Sequence, residues 1–298
     1  MNRIPGTRVL VIGAYSRMGL VLSPILEMSG HKVLLQGRGA TAQLQFEPTN
    51  ITKLSTILKR NAPEIIINLA ALTSVNECQT APHLAYEANT KIVETIATAI
   101  KLSGKRIHLI QMSTDHLYDG TDNSSENDIK PSNVYAITKY AGELAARTVG
   151  ATILRTTFIG SVTNSYQRKT LSDWIVSSLQ AKKTITVFED VIFSPLYIKT
   201  LCGIVTSLIN IRKSGTYNLG CAGGISKANF AIRLASGLNL DLNYLSVGKL
   251  SSENLEYKRP LNMKMNTTKF INEFKIDLPD IDREIALLIH DYKNNQRN

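Results

Sequence analysis

The 298-residue sequence holds only three cysteines, Cys78, Cys202 and Cys221, scattered without a CxxC pair. That scarcity excludes a disulfide framework and a cysteine-built zinc cage, and it suits a reducing compartment. His31, His83, His108 and His290 have no metal-like spacing with a cysteine or carboxylate, so no metal is expected. No apolar run approaches the roughly 18 residues a membrane helix needs. The apolar N-terminal run ends in a glycine-bearing turn rather than a cleavage site, and a soluble, cytoplasmic protein that needs no membrane is expected. Tryptophan occurs once, at Trp174, in a helical pattern that favours core or subunit interface over base stacking. Acidic residues are outnumbered, 24 against 34 Lys and Arg, for a net charge of +10. The basic residues come in pairs such as Lys182 and Lys183, without a long run or an aromatic ladder, so nucleic acid is not the expected partner and a phosphate-bearing small molecule is.

What is present is core-forming material, 43% hydrophobic and 19% charged, in a chain long enough for one large unit or two lobes. Short apolar runs at Arg8 to Gly13, Lys32 to Gln36, Glu64 to Ala70, Arg106 to Met112 and Ala151 to Arg155 read as strands. Amphipathic stretches at Met18 to Met28, Thr52 to Asn61, Pro82 to Leu102 and Tyr135 to Thr148 alternate with them as helices. The alternation predicts an α/β fold: a Rossmann-type doubly wound parallel sheet over residues 1–160, followed by a smaller α/β substrate lobe over 161–298, some of whose elements return to the sheet. Further helices are expected at Leu171 to Gln180, Ile198 to Ile209, Lys227 to Ser236 and Ile281 to Tyr292. The Gly-, Asp-, Asn- and Ser-rich stretch Asp119 to Ser132 reads as an exposed loop.

The first strand runs into Gly13-Ala14-Tyr15-Ser16-Arg17-Met18-Gly19 and then a helix. Gly13 permits a tight turn, small Ser16 a close backbone approach, and Gly19 close packing of helix on strand, which leaves a helix N-terminus to hold a pyrophosphate. Where NAD-specific chains carry an acidic residue after the second strand, this one has Gln36-Gly37-Arg38-Gly39, and Arg38 suits a 2′-phosphate, so NADPH is preferred with NADH as the lesser cofactor. Tyr135 and Lys139, four apart on one helix face, follow a strand that ends in Ser113, Thr114 and Asp115. A tyrosine can protonate a nascent alkoxide, a nearby ammonium makes the phenolate less costly, and the Thr114 hydroxyl can hydrogen-bond the carbonyl oxygen.

In this order of motifs the chain resembles the extended short-chain dehydrogenase/reductases, and within them the dTDP-4-dehydrorhamnose reductase group. The matching stretches are INLAALTSVNECQTAPHLAYEANT (Ile67 to Thr90), MSTDHLYDG (Met112 to Gly120), KPSNVYAITKYAGE (Lys130 to Glu143), ILRTTFIG (Ile153 to Gly160) and RPLNMKMNTTKF (Arg259 to Phe270). The resemblance implies reduction of a nucleotide-linked 4-keto-6-deoxy sugar, with Tyr135 as proton donor, Thr114 as supporting hydroxyl and Lys139 as ligand of the nicotinamide ribose. It implies a cofactor site lined by Gly13, Tyr15, Ser16, Arg17, Met18, Gly19, Arg38, Glu47, Ala70 and Ala71, and sugar contacts from Thr114, Asp115, Phe158 and Arg259. Arg168, Lys169, Lys182 and Lys183 are further candidates for a nucleotide diphosphate. Ser16 stands where the family usually has glycine, Glu47 for an aspartate, and Val191, Phe193 and Phe158 for glutamine, glycine and tryptophan on the expected sugar side. His116 is read as structural or cofactor-facing rather than as a second acid, and Cys202 and Cys221 receive no catalytic role. The resemblance allows a homodimer through the Tyr135 to Thr148 helix. It also leaves an alternative: a non-catalytic NADP-binding subunit such as the one this family supplies to methionine adenosyltransferase.

Overall fold

The computed structural model describes residues 6–120, 122–161, 169–252 and 255–295. Its first half runs β1 (Arg8–Ile12), α1 (Arg17–Met28), β2 (Lys32–Gly37), β3 (Leu44–Gln45), α2 (Ile51–Asn61), β4 (Ile65–Asn68), α3 (Val75–Thr80), α4 (Pro82–Tyr86), a π-helical turn (Glu87–Lys91), α5 (Ile92–Ser103), β5 (His108–Thr114), α6 (Val134–Arg147) and β6 (Thr152–Thr156). The second half runs β7 (Phe158–Ile159), α7 (Leu171–Gln180), β8 (Ile185–Phe188), β9 (Ile192–Phe193), β10 (Leu196–Tyr197), α8 (Ile198–Leu208), β11 (Gly215–Leu219), β12 (Ile225–Ser226), α9 (Lys227–Gly237), β13 (Leu245–Gly248), α10 (Thr268–Phe274) and α11 (Ile281–Asn295).

Seven strands form the main sheet in the order β11-β6-β5-β4-β1-β2-β3. β1 pairs in parallel with both β2 and β4, β2 with β3, and β4 with β5. The strand order therefore reverses between β1 and β4, the switch point at which open α/β sheets bind ligands beyond their carboxyl ends. Strands buried on both faces need continuous apolar runs, and VLVI of β1 and III of β4 are fully buried. Helices α2 and α5 close one core, with Leu54, Ile57, Leu58, Ile92, Val93 and Ile96 packed on Leu10, Ile12 and Ile66.

The five expected strands are present, with β3 and β11 added to them. The helix expected from Pro82 to Leu102 is divided: the π turn at Glu87–Lys91 separates α4 from α5. An inserted residue of this kind re-aims side chains without ending the helix. Here it turns Asn89 inward, where its Oδ1 accepts from Leu72 N at 2.9 Å and its Nδ2 donates to Thr138 Oγ1 on α6 at 3.1 Å. The stretch expected as an exposed loop is split between exposed and half-buried residues among those described, and Ser124 within it is fully buried and bridges to Met265.

The described residues divide into two compact units. One takes those of Met1–Thr114, Ser132–Arg155 and Cys202–Tyr217; the other takes those of Asp115–Pro131, Thr156–Leu201 and Asn218–Asn298. The second is built on three two-stranded pairs, β10 with β7, β12 with β9 and β13 with β8, packed with α7, α9 and α11.

Candidate active site

In the first unit, the turn after β1 is shaped by its glycines. Gly13 sits at φ +76°, and a Cβ there would come within 2.9 Å of Ala70 N. A Cβ on Gly19 would lie 2.2 Å from Ala14 O, so α1 rests directly on the turn. Ser16 caps α1, its hydroxyl accepting from Gly19 N at 3.3 Å. Gln36 fixes the turn from β2, its Oε1 accepting from Gly13 N at 2.9 Å while its Nε2 donates to Phe46 O at 2.6 Å. The half-exposed Tyr15 ring lies against Gly37, and its hydroxyl accepts from Gln43 N at 2.9 Å. Arg17 is half-buried, Met18 is buried, and Arg38 and Glu47 stand exposed beyond β2 and β3. Ala70 and Ala71, half-buried after β4, are held by Asn68, whose Oδ1 accepts from Ala70 N at 3.2 Å.

Helix α6 begins where Asn133 caps Ala136 N at 3.0 Å, and its inward face carries Tyr135, Thr138, Lys139, Gly142, Glu143 and Ala146. Tyr135 is 8% exposed and Lys139 5%. Lys139 Nζ donates to Met112 O on β5 at 2.7 Å, which ties α6 to the strand two residues before the buried Thr114. Burial pulls the Lys139 ammonium down to about 8, opposed by the negative charge of Glu143 and then by Cys78. A lysine so tuned stays mostly charged at neutral pH and can steady a phenolate one helical turn away.

Beneath that face lies a closed ionic network. Arg155 and Glu143 are both 0% exposed, with Arg155 Nε donating to Glu143 Oε1 at 2.8 Å and Nη2 to Oε2 at 2.6 Å. Ser113 adds a 2.6 Å bond to Glu143 Oε1, and Arg147 a 3.4 Å contact to Oε2. The carboxylate thus receives donors from β5, β6 and α6 at once. This network escaped sequence reasoning because nothing local marks Arg155, inside an apolar strand, as a charge with a partner. Asn89 and Gln36 escaped for the same reason, as their partners lie on other elements.

In the second unit, Asp115 (3% exposed) and Phe158 line a cavity of about 130 Å³ with His116, Thr157, Thr170, Ser172, Phe193, Lys227 and Met263. Phe193, one of the departures on the expected sugar side, sits edge-on to Phe230 with ring centroids 5.7 Å apart. Val191 is buried, and its carbonyl accepts from Lys227 N at 2.8 Å. Burial, then the charges of Lys227 and Arg259, hold the His116 imidazole down at about 3, which favours its neutral form near pH 7. Arg259 is exposed, as are Lys169, Lys182 and Lys183, whereas Arg168 lies outside the described residues. Trp174 is 37% exposed on α7. Cys202 and Cys221 are fully buried, and burial pushes both thiols up to about 12. Among the described residues no cluster of three or more His, Cys, Asp or Glu side chains is arranged to hold a metal ion. No helix among them is long and apolar enough to cross a membrane.

The family model described as the RmlD substrate binding domain matches residues 7–294. A dTDP-4-dehydrorhamnose reductase of Shigella flexneri is 26% identical over 287 residues, covering 91% of this chain and 93% of that one. A probable low-salt glycan biosynthesis reductase of Haloferax volcanii is 23% identical over 289 residues, covering 93% and 96%. The crystal structure of a dTDP-4-dehydrorhamnose reductase from Bacillus anthracis in complex with NADP superposes with a TM-score of 0.82 at 24% identity, covering 95% of this chain and 98% of that one, a likeness of fold.

Proposed function

Because the chain belongs to the RmlD substrate binding domain family, we propose that it is an NADPH-preferring reductase of a nucleotide-linked 4-keto-6-deoxy sugar, serving deoxysugar and polysaccharide synthesis. The observation that carries this reading is the buried pair of Tyr135 and Lys139 on one face of α6, with Lys139 bonded to the β5 backbone at Met112, two residues before Thr114. Tyr135 gives its proton to the carbonyl oxygen as it becomes an alkoxide. Thr114 donates a hydrogen bond to the same oxygen, and Lys139 lowers the cost of the phenolate and holds the ribose hydroxyls of the cofactor.

The first turn fits a dinucleotide, since the space at Gly13 and Gly19 admits no side chain and a helix N-terminus follows. Gly13, Tyr15, Ser16, Arg17, Met18 and Gly19 would hold the pyrophosphate, Arg38 the 2′-phosphate, Glu47 the adenine end, and Ala70 and Ala71 the middle of the cofactor. Bound there, NADPH supplies the hydride that reduces the carbonyl carbon, and NADH serves less well. Asp115, Phe158 and Arg259 would hold the sugar nucleotide. The relatives from Shigella and Haloferax are named as reductases, which supports catalysis over a non-catalytic cofactor-binding subunit. Ile137 and Leu144, exposed seven residues apart on α6, together with the exposed Leu84 and Tyr86 of α4, which packs against α6, support a homodimer through this helix. Three unpaired thiols suit a cytoplasmic setting.

The test is oxidation of NADPH and NADH against dTDP-, GDP-, UDP- and CDP-linked 4-keto-6-deoxy sugars. The expected result is turnover with one nucleotide and faster with NADPH. Silence across the panel with NADPH still bound would return the reading to a non-catalytic subunit.

A further inference from the structure

The cavity of the second unit contains a lysine that neither the motifs nor the mechanism uses. Lys227 is the first residue of α9, whose start is fixed by Ser226 accepting from Asn229 N at 3.1 Å, and by the bond from Lys227 N to Val191 O at 2.8 Å. Its backbone is therefore held at two points, and its side chain lines the cavity together with Asp115. Asp115 is a carboxylate at 3% exposure, and a charge so buried requires a counter-charge. Lys227 lies within its field: the Asp115 carboxylate acts to keep the ammonium charged, against burial and the repulsion of Arg259.

A purely structural ion pair is closed by its neighbours, as Glu143 is by Arg155 and Ser113. Lys227 and Asp115 instead both border open volume. An ammonium has three donors, so this wall of the cavity brings donor capacity. The other walls set the rest of the recognition. Phe158, Phe193 and Met263 are apolar, Thr157, Thr170 and Ser172 bring hydroxyls, and His116 is neutral. A hydrocarbon would strand both charges, and an anion would be repelled by Asp115 while attracted by Lys227. A sugar ring meets every wall, because its C–H face packs on the phenylalanines while hydroxyls on neighbouring carbons offer one donor and one acceptor.

We propose that Lys227 and Asp115 together read two oxygens on neighbouring carbons of the substrate's sugar, one hydroxyl donating to Asp115 and the adjacent oxygen accepting from Lys227. This rests on the nucleotide-sugar reading above and assigns Lys227 to the sugar rather than to the diphosphate. It also makes Lys227 a determinant of which sugar is accepted, since a sugar lacking one of the two oxygens leaves a charge unmatched.

Calorimetric binding to the full chain without cofactor tests it, using the panel's tightest-binding nucleotide-linked 4-keto-6-deoxy sugar and the matching bare nucleoside diphosphate. Lys227→Met is expected to weaken the sugar nucleotide about tenfold or more, the scale of a lost hydrogen bond to a charged donor, and to leave the bare nucleoside diphosphate within about twofold. Lys227→Gln, which keeps an N–H donor, is expected to recover part of the loss. It also serves as the informative variant if Lys227→Met melts at a much lower temperature. Equal weakening of both ligands would make Lys227 a phosphate contact and overturn the proposal, and so would unchanged sugar binding in both variants. Wild-type protein that binds the sugar nucleotide without oxidising NADPH would sink the reductase reading while leaving the Lys227 comparison intact. Wild-type protein that binds no nucleotide sugar would sink both.

Discussion

The two compact units bury charge in opposite ways. In the first, Glu143 is sealed at 0% exposure by Arg155, with Ser113 and Arg147 on the same carboxylate. In the second, Asp115 and Lys227 both line an open cavity, the carboxylate acting on the ammonium. A sealed network cannot take up a ligand; it fixes the relative placement of β5, β6 and α6, and with them Thr114, Tyr135 and Lys139. Charges bordering open volume are available for recognition. On the proposed function the contrast is a division of labour, with catalytic geometry set in advance by the chain and selectivity completed by the substrate.

The sharpest break of this comparison is Glu143→Gln. Removing the carboxylate's charge leaves the Arg155 guanidinium buried without its counter-ion, and a loss of about 3 to 5 kcal/mol is expected in chemical denaturation. A loss below about 1 kcal/mol would show that the network is not sealed.

Next comes the pH dependence set by Lys139. Its folded-state value is about 8 against an ordinary 10.5. The unfolded chain therefore binds more protons between those two values, so stability rises with pH across that window and the penalty is full below it. Relative to a Lys139→Met variant, the cofactor-free wild type is expected to gain up to about 3 kcal/mol from pH 8 to 10.5. Parallel stability curves for the two proteins would place the lysine's charge in water instead.

Smaller effects are expected at the exposed edge and the open cavity. Arg38→Ala should cut the preference for NADPH over NADH about tenfold, the worth of one charge-assisted contact at an accessible site, as read from the two kcat/KM values. Lys227→Met should cost only about 1 kcal/mol of stability or less, because water can enter the cavity beside Asp115. A cost equal to that of Glu143→Gln would erase the distinction between the two regions.

Much of the first unit was legible in the sequence, for a physical reason. Parallel strands buried on both faces must be continuous apolar runs, and VLVI, IIIN and TILRT declare themselves without knowledge of their neighbours. The glycine turn and the spacing of Tyr135 and Lys139 are equally local. What stayed hidden depends on distant partners. β11 reads GTYNL, too polar to signal a strand until it joins the main sheet beside β6. β3 is two residues long and exists only through its pairing with β2. The π turn is invisible in the periodicity of Pro82 to Leu102, because the bonds that Asn89 makes there, accepting from Leu72 N and donating to Thr138, are to residues distant in sequence. In the second unit, the Asp-His after Thr114 and the aromatic Phe158 pointed toward the cavity. Lys227 lies 112 residues beyond Asp115 and looks in sequence like any surface lysine at a helix start.

The most direct test of the central claim is transfer of the hydride itself. The full chain would be mixed with NADPH deuterated at nicotinamide C4 and the nucleotide-linked 4-keto-6-deoxy sugar it binds, and the sugar product analysed by mass spectrometry. The account predicts one deuterium on the sugar C4 from one face of the nicotinamide, and a Tyr135→Phe variant that still binds NADPH yet transfers it about 10² to 10⁴ times more slowly. Sugar and cofactor bound together with no deuterium transferred, or undiminished transfer by Tyr135→Phe, would contradict it.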